Sequence, residues 1–381
     1  MWLKRWIFAA AVLALGGGAA AQYVPLYENP ATRTSLSFDL DGLWAYNLYE
    51  RSRWGAGFKF TLRDSLEFTG YVGYGVRDQQ WKGGGAAAYK IPFSRRGGTF
   101  TIAFARDYFA AASRQMKQTS ITDISGLSHF MTQLMDDRMG VSAGYLFSTR
   151  RATYMVSTAF FEGRYLYQHM TPLYLVDGAT PERRSGMEVC LTMHRKSGFS
   201  AEMLVADHRN WRLLMQYDHQ FGLGPLYLST FAQMGLAFLY ADVYYKFDLG
   251  GTYGSPLWFR NSMLTVRPYE HIVPAFVFSS LRLQTKRPLF RLWSSTFAVG
   301  SNPRPMVGVS GAWCGRYRTN DSESDSEPSF VDVGAVEVMA AVDGIIRWGV
   351  ADYGALFALR PWPLVDGSPR TVLLLTASLA L

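Results

Sequence analysis

Asp39 and Asp41 stand two residues apart in the stretch SLSFDLDGLWAYNL (35–48). If that stretch is extended, both carboxylates share one face. A carboxylate pair joined by an oriented histidine can activate water for hydrolysis. The chain has six histidines: His129, His169, His194, His208, His219 and His271. Two of them directly follow aspartates, as Asp207-His208 and Asp218-His219. Neighbours on a strand point to opposite faces, so neither pair can serve as orienter and base on one side of a sheet. No histidine has a serine two positions on, and no group of His, Cys or carboxylates has the spacing of metal ligands. No catalytic residue, metal or cofactor is therefore expected, and the chain does not read as an enzyme.

The remaining polar residues make sense as one wet face of a sheet. Asp39, Asp41, Glu67, Glu202 and Asp218 oppose Lys59, Arg212 and Arg282 in sign, with His208 and Gln216 in the same phase. Two readings stand. One is a solvated, salt-bridged interior without selectivity. The other is a polar pathway for small solutes, since rings of charge set pore preference. A mixed interior argues against strong anion or cation selectivity.

One long link, 113–138, carries Leu127, Phe130, Met131, Leu134 and Met135 at helical spacing, with His129, Asp136 and Asp137 among them. It is expected to form either a cap on a barrel rim or a constriction folded inward. Long structured loops are usually functional.

The elements that would position these residues are strands. In 35–48, Leu36, Phe38, Leu40, Trp44, Tyr46 and Leu48 alternate with polar residues, the period-two signature of a half-apolar strand. The pattern returns at Leu66, Phe68, Val72, Tyr74 and Val76, at Phe100, Ile102 and Phe104, and at Phe199, Ala201, Met203 and Val205. It returns again at Trp211, Leu213, Met215 and Tyr217. Short polar or Gly-bearing links at 63–65, 94–98, 196–198 and 222–224 join antiparallel neighbours. Longer links, such as 77–84, 111–138, 169–186 and the acidic 318–329, occur between other pairs. The segmentation yields about nineteen candidates, and the length allows roughly 14–18 strands, an even number being required for a closed up-and-down barrel.

Lys4 and Arg5, a short apolar run and Ala19-Ala20-Ala21 read as a secretory signal peptide over 1–21. A short periplasmic segment (22–34) and a single barrel (35–381) are expected to follow. No later stretch is apolar enough for a spanning helix. Hydrophobic residues make up 49% and aromatics 15%, with 36 glycines, but charged residues only 18%, against about 25% in ordinary domains. The net charge of +8 is spread out, with no stripe suited to nucleic acid. Cys190 and Cys314 are expected to be free. These features favour an all-β, transmembrane, antiparallel up-and-down β-barrel with long extracellular loops. Trp44, Tyr46, Tyr49 and Trp54 would belong to its interfacial girdles.

The alternating series Leu373, Leu375, Ala377, Leu379 and Leu381 at the chain end resembles the last strand of Gram-negative outer-membrane β-barrel proteins. Leu381 stands where that family usually ends on Phe or Trp. The resemblance implies residence in the outer membrane, contact with its lipid and lipopolysaccharide, and insertion by the barrel-assembly machinery. The link 113–138 follows the fifth expected strand, where general porins carry an inward loop. Asn29-Pro30-Ala31 resembles the N-P-A element of the long-chain fatty-acid transporter type, or is a plain turn. About a dozen residues separate Gln22 from the first expected strand, too few for that family's plug. Three functions follow: a channel or transporter for small solutes, a non-conducting structural or partner-binding barrel, and a conduit for hydrophobic molecules.

Overall fold

A computed structural model describes residues 23–39, 44–47, 50–91, 98–110, 134–167, 184–238, 241–249, 263, 265, 272–294, 299–318, 329–348, 351–361 and 370–379. The expected signal peptide, Asp41, and Leu127, His129, Phe130 and Met131 lie outside them. The fold is all-β, antiparallel and up-and-down. Contacts divide it into two compact units: Ala19–Leu214 with Ala237–Tyr245, and Met215–Leu236 with Lys246–Leu381.

The first unit begins with β1 (Tyr23–Asn29), a strand absent from the sequence reading, which took Ser35 as the start. It pairs with β2 (Thr34–Asp39). The Asn29-Pro30-Ala31 element is the turn between them, in which Asn29 Oδ1 accepts from the Ala31 and Thr32 amides at 3.0 and 3.4 Å. The expected strand 35–48 is divided into β2 and β3 (Trp44–Asn47), both paired with β4 (Arg51–Leu62). Register moves from Asp39↔Gly57 to Trp44↔Trp54, a step of two. An even step preserves the side-chain phase, so the alternation survives the interruption.

β5 (Leu66–Gly75), β6 (Trp81–Ile91), β7 (Gly98–Ala110), β8 (Leu134–Ser148), β9 (Ala152–Tyr167), β10 (Arg184–Arg195) and β11 (Phe199–Val205) follow, each paired with the next. β12 (Trp211–Leu223) and β13 (Leu226–Ala237) come next. The second unit continues through β14 (Phe247–Asp248), β15 (Ile272–Val273), β16 (Ala275–Thr285), β17 (Leu292–Ser294) and β18 (Val299–Ser301). It ends with β19 (Arg304–Arg318), β20 (Ser329–Trp348), β21 (Ala351–Arg360) and β22 (Arg370–Leu379). There β13, β16, β19, β20, β21 and β22 pair in succession.

The expected tight turns form. Ser65 N donates to Leu62 O at 3.2 Å, with Arg63 and Asp64 both at positive φ, as a type I′ hairpin requires. Gly198, at φ 87°, closes the turn after β10 by donating to Arg195 O at 3.1 Å. The helix suggested by the spacing in 113–138 is corrected at its C-terminal end, where Leu134, Asp136 and Asp137 belong to β8 rather than to a loop. Pairing with β9 from Leu134↔Tyr167 onward supplies ladder hydrogen bonds that an isolated helical turn could not match.

Burial is reversed from that of a water-soluble sheet. Phe104, Ile102, Phe160, Val141, Leu191 and Leu373 are exposed, and Leu375 is 88% exposed. Glu50, Lys82, Asp107, Asp136, Glu188, Glu202, Arg212 and Glu337 are buried. Mean hydropathy is only −0.02, so it is phase rather than composition that turns apolar residues outward. Aromatic rungs mark both ends of this outward face in the first unit. Trp54 pairs with Tyr74 and Tyr74 with Trp81 at one end, whereas Tyr89, Phe100 and Tyr145 pair in a row at the other. Trp81 and Tyr89, eight residues apart on β6, lie about 27 Å apart along the strand.

Candidate functional site

The buried face of the first unit carries a set of ion pairs, supplied by the wet phase of its strands and by the turns that join them. Arg53 on β4 meets Asp107 on β7 in a two-pronged bond, with Nη1 donating to Oδ1 at 2.6 Å and Nη2 to Oδ2 at 3.0 Å. Tyr71 OH donates to the same Oδ2 at 2.6 Å. Glu50 Oε2 lies 3.9 Å from Arg53 and accepts from Lys82 Nζ through Oε1 at 2.7 Å. Lys82 also bonds Asp78, which in turn accepts from Tyr108 OH at 2.6 Å. Gly73 leaves the space that the Arg53 side chain occupies. Asp78 sits in the turn between β5 and β6. Burial pushes its carboxyl up, but hydrogen bonds from Lys82 and Tyr108 outweigh this and hold it below the usual carboxylate range.

A second group surrounds Arg138 on β8. Its Nη2 bonds Glu188 on β10, its Nη1 donates to Tyr244 OH at 2.8 Å, and its guanidinium lies 3.6 Å from the Phe161 ring centroid. Arg184 pairs with Asp136 at 2.7 Å and with Asp242 at 3.2 Å. Gly163 makes room for the Asp136 carboxylate, since a Cβ there would meet Oδ1 at 2.8 Å. Arg212 grips Glu202 Oε1 with Nε at 3.1 Å and Nη2 at 2.7 Å.

Residues 241–245 fold onto this group. Tyr245 N donates to Asp242 O at 2.9 Å, closing the 3-10 turn Val243–Tyr245, and Asp242 N donates to Asn210 Oδ1 at 2.9 Å. Tyr244 and Tyr245 are buried, and Tyr245 OH donates to Glu188 Oε1 at 2.8 Å. The segment thus supplies hydrogen-bond partners to charges that lie on the strands. In the second unit Phe247 is buried against Phe276, with ring centroids 5.0 Å apart. Thr265 N donates to Glu337 Oε2 at 2.7 Å.

Of the residues proposed from sequence, two pairs are brought together. Lys59 meets Glu67 at 2.9 Å, and Glu202 meets Arg212. Gln216 accepts from Gln233 Nε2 at 3.4 Å, Arg282 is buried on β16, and Asp218 is half-buried on β12. Asp39 ends β2. His208 is corrected: it is exposed in the turn after β11 rather than on the buried face. Asp207 ends the strand phase there by accepting from the Arg209 and Asn210 amides at 2.7 and 2.8 Å, which curls the backbone. Asp136 and Asp137 are wall residues, Asp137 pairing with Arg164 at 3.3 Å. Cys190 and Cys314 are both buried, and neither is in a disulfide.

Arg53, Asp107, Arg138, Arg184, Glu188, Tyr244 and Tyr245 were missed. Arg138 belongs to β8, whereas the sequence reading places it at the end of the long link 113–138. Tyr244 and Tyr245 carry no periodic signal.

No family model and no curated protein matches the chain. Among solved structures, CdiB from Acinetobacter baumannii is similar at 10% identity and a TM-score of 0.43, over 92% of this chain and 58% of that one. CdiB from Escherichia coli is similar at 12% identity and a TM-score of 0.45, over 94% of this chain and 67% of that one. The chain thus spans under three fifths of the length of the first.

Proposed function

We propose that this chain is a Gram-negative outer-membrane β-barrel that passes small polar solutes and is closed at rest by a latch at 241–245. The reversed burial carries this reading. Each large side chain such as Phe104 or Leu375 left facing water forgoes about 1.5–3 kcal/mol of burial, whereas hydrocarbon accepts it. The aromatic rungs support it too. Their separation of about 27 Å along the strand becomes about 20 Å at a tilt of ~40°, close to the apolar band of such barrels.

The protein reaches the membrane after removal of residues 1–21 and is inserted by the barrel-assembly machinery among phospholipid and lipopolysaccharide. The tight turns face the periplasm. Solutes pass along the paired charges of the buried face once residues 241–245 move away. A non-conducting barrel is the second reading, favoured by the complete burial of Leu214 and near-complete burial of Tyr245.

Planar-bilayer recording of the refolded protein distinguishes the two, with a heat-modifiable gel band proving the fold. Wild type is expected to open rarely. The Tyr244→Ala/Tyr245→Ala variant is expected to open in long, stepwise events, because Glu188 and Arg138 lose the segment they hold. A folded double variant that stays silent overturns the channel in favour of the non-conducting barrel. Permanently open wild type overturns the latch.

A further inference from the structure

The chain carries 38 Lys and Arg against 30 Asp and Glu, and the buried ion pairs absorb charge of both signs, so the excess cations must lie elsewhere. In the first unit they gather at the end with the tight turns. Arg63, Lys90, Arg150, Arg151, Arg195 and Lys196 are exposed there. Among the described residues the acids near this end are Glu28, Asp64 and Glu67; Asp64 is 3.8 Å from Arg33, and Glu67 is paired with Lys59 at 2.9 Å.

Three of these cations line one cleft of about 510 Å³, with Thr149, Tyr154 and Met193. Its frame is built. Thr149 N donates to Ala152 O at 2.7 Å, and Ala152 N donates back to Thr149 Oγ1 at 3.0 Å. Lys196 N donates to Arg151 O at 3.1 Å, which ties the β8–β9 turn to the β10–β11 turn. Among the described residues, Arg150, Arg151 and Arg195 have no carboxylate partner, in contrast to Arg53, Arg138, Arg184 and Arg212 on the buried face.

Below the arginines the outward face of β9 and β10 is apolar except for Thr158, which pairs with Val189. Tyr154 pairs with Met193, Val156 with Leu191 and Phe160 with Met187. Val156, Leu191, Phe160 and Met187 are exposed. From Tyr154 to Phe160 this strip runs about 20 Å along the strand, roughly the length of an acyl chain. Cations at the rim above an apolar strip match an anionic headgroup with its hydrocarbon tail.

We propose that this cleft binds the phosphate of a membrane phospholipid, with Arg150, Arg151 and Arg195 on the phosphate oxygens, Tyr154 and Met193 under the glycerol, and one acyl chain along the β9–β10 strip. Guanidinium groups suit the site because their planar donors match phosphate oxygens. The site rests on the membrane reading for its lipid, but not for its recognition of phosphate.

Native mass spectrometry of the detergent-solubilised full chain tests it. The probes are dioleoyl phosphatidylglycerol, dioleoyl phosphatidylcholine and inorganic phosphate, each added alone and in competition. Wild type is expected to retain a phospholipid that millimolar inorganic phosphate does not displace. Apparent affinity is expected to fall roughly fivefold for each arginine removed in R150Q, R150Q/R151Q and R150Q/R151Q/R195Q. Equal retention by wild type and the triple variant overturns the site. Complete displacement by inorganic phosphate overturns the lipid and leaves a soluble phosphate anion as the ligand. Insertion into vesicles, scored separately by heat modifiability, tells the two readings apart. A chain that inserts but shows no dependence on the arginines loses the site alone. A chain that cannot insert but still binds phosphate through them loses the membrane reading alone. All three arginines are exposed, and the single variant R150Q guards against loss of fold in the triple one.

Discussion

Replacing Asp107 by Leu tests whether the wall charges hold the strands together as pairs. Asp107 accepts two bonds from Arg53 and one from Tyr71, and it is buried. Without it, the remaining carboxylate near the Arg53 guanidinium among the described residues is that of Glu50, at 3.9 Å. An uncompensated buried charge costs about 3–5 kcal/mol. The Tyr71 hydroxyl, left without its acceptor, adds about 1 kcal/mol. Removing both charges in R53M/D107L takes away the penalty along with the attraction, so that variant is expected within about 1–2 kcal/mol of wild type. R53M alone strands the buried Asp107 carboxylate at a similar cost, so the two substitutions should be strongly non-additive, with a coupling of roughly 5 kcal/mol or more. The assay is urea unfolding of the refolded protein in vesicles, followed by tryptophan fluorescence and by the heat-modifiable band. A loss below about 1 kcal/mol in D107L, or simple additivity in the double variant, would refute the pairing.

Two further outcomes can be measured on the same preparation. The folded state holds the Asp78 carboxyl below its unfolded value near ~3.9, so its contribution is fully present above that value and drains away as pH falls through the lower folded one. Acid unfolding of wild type should thus be steeper below about pH 4 than that of Asp78→Asn, and identical profiles would show that Lys82 and Tyr108 do not hold the carboxylate. Arg63 sits at φ 51°, in the left-handed region, so Arg63→Gly is expected to stabilise the hairpin by roughly 0.5–1 kcal/mol, with a destabilised variant arguing against a type I′ turn.

The phase of the strands was legible in the sequence because side chains alternate with a period that no distant contact can alter. Phe68, Val72, Phe100, Ile102, Phe104, Met203, Leu373 and Leu375 all face outward as their alternation required. The turns at 63–65 and 196–198 were equally local, set by two or three residues. Lys59–Glu67 and Glu202–Arg212 could be proposed as wet-face residues, although not as pairs.

The sequence by itself thus determined which side of each strand is apolar and where tight hairpins close. Only the tertiary structure decided which charge meets which. Arg53 and Asp107 lie fifty-four residues apart, and three strand-to-strand registers, β4–β5, β5–β6 and β6–β7, must be set before the guanidinium reaches its carboxylate. The register step between Asp39 and Trp44 belongs to the same class, since it exists only against β4. The segment 241–245 follows the same logic. Tyr244 and Tyr245 have no periodic partner in the chain, and they become buried because Arg138 and Glu188, brought together by β8, β9 and β10, offer hydrogen bonds that no local segment could supply.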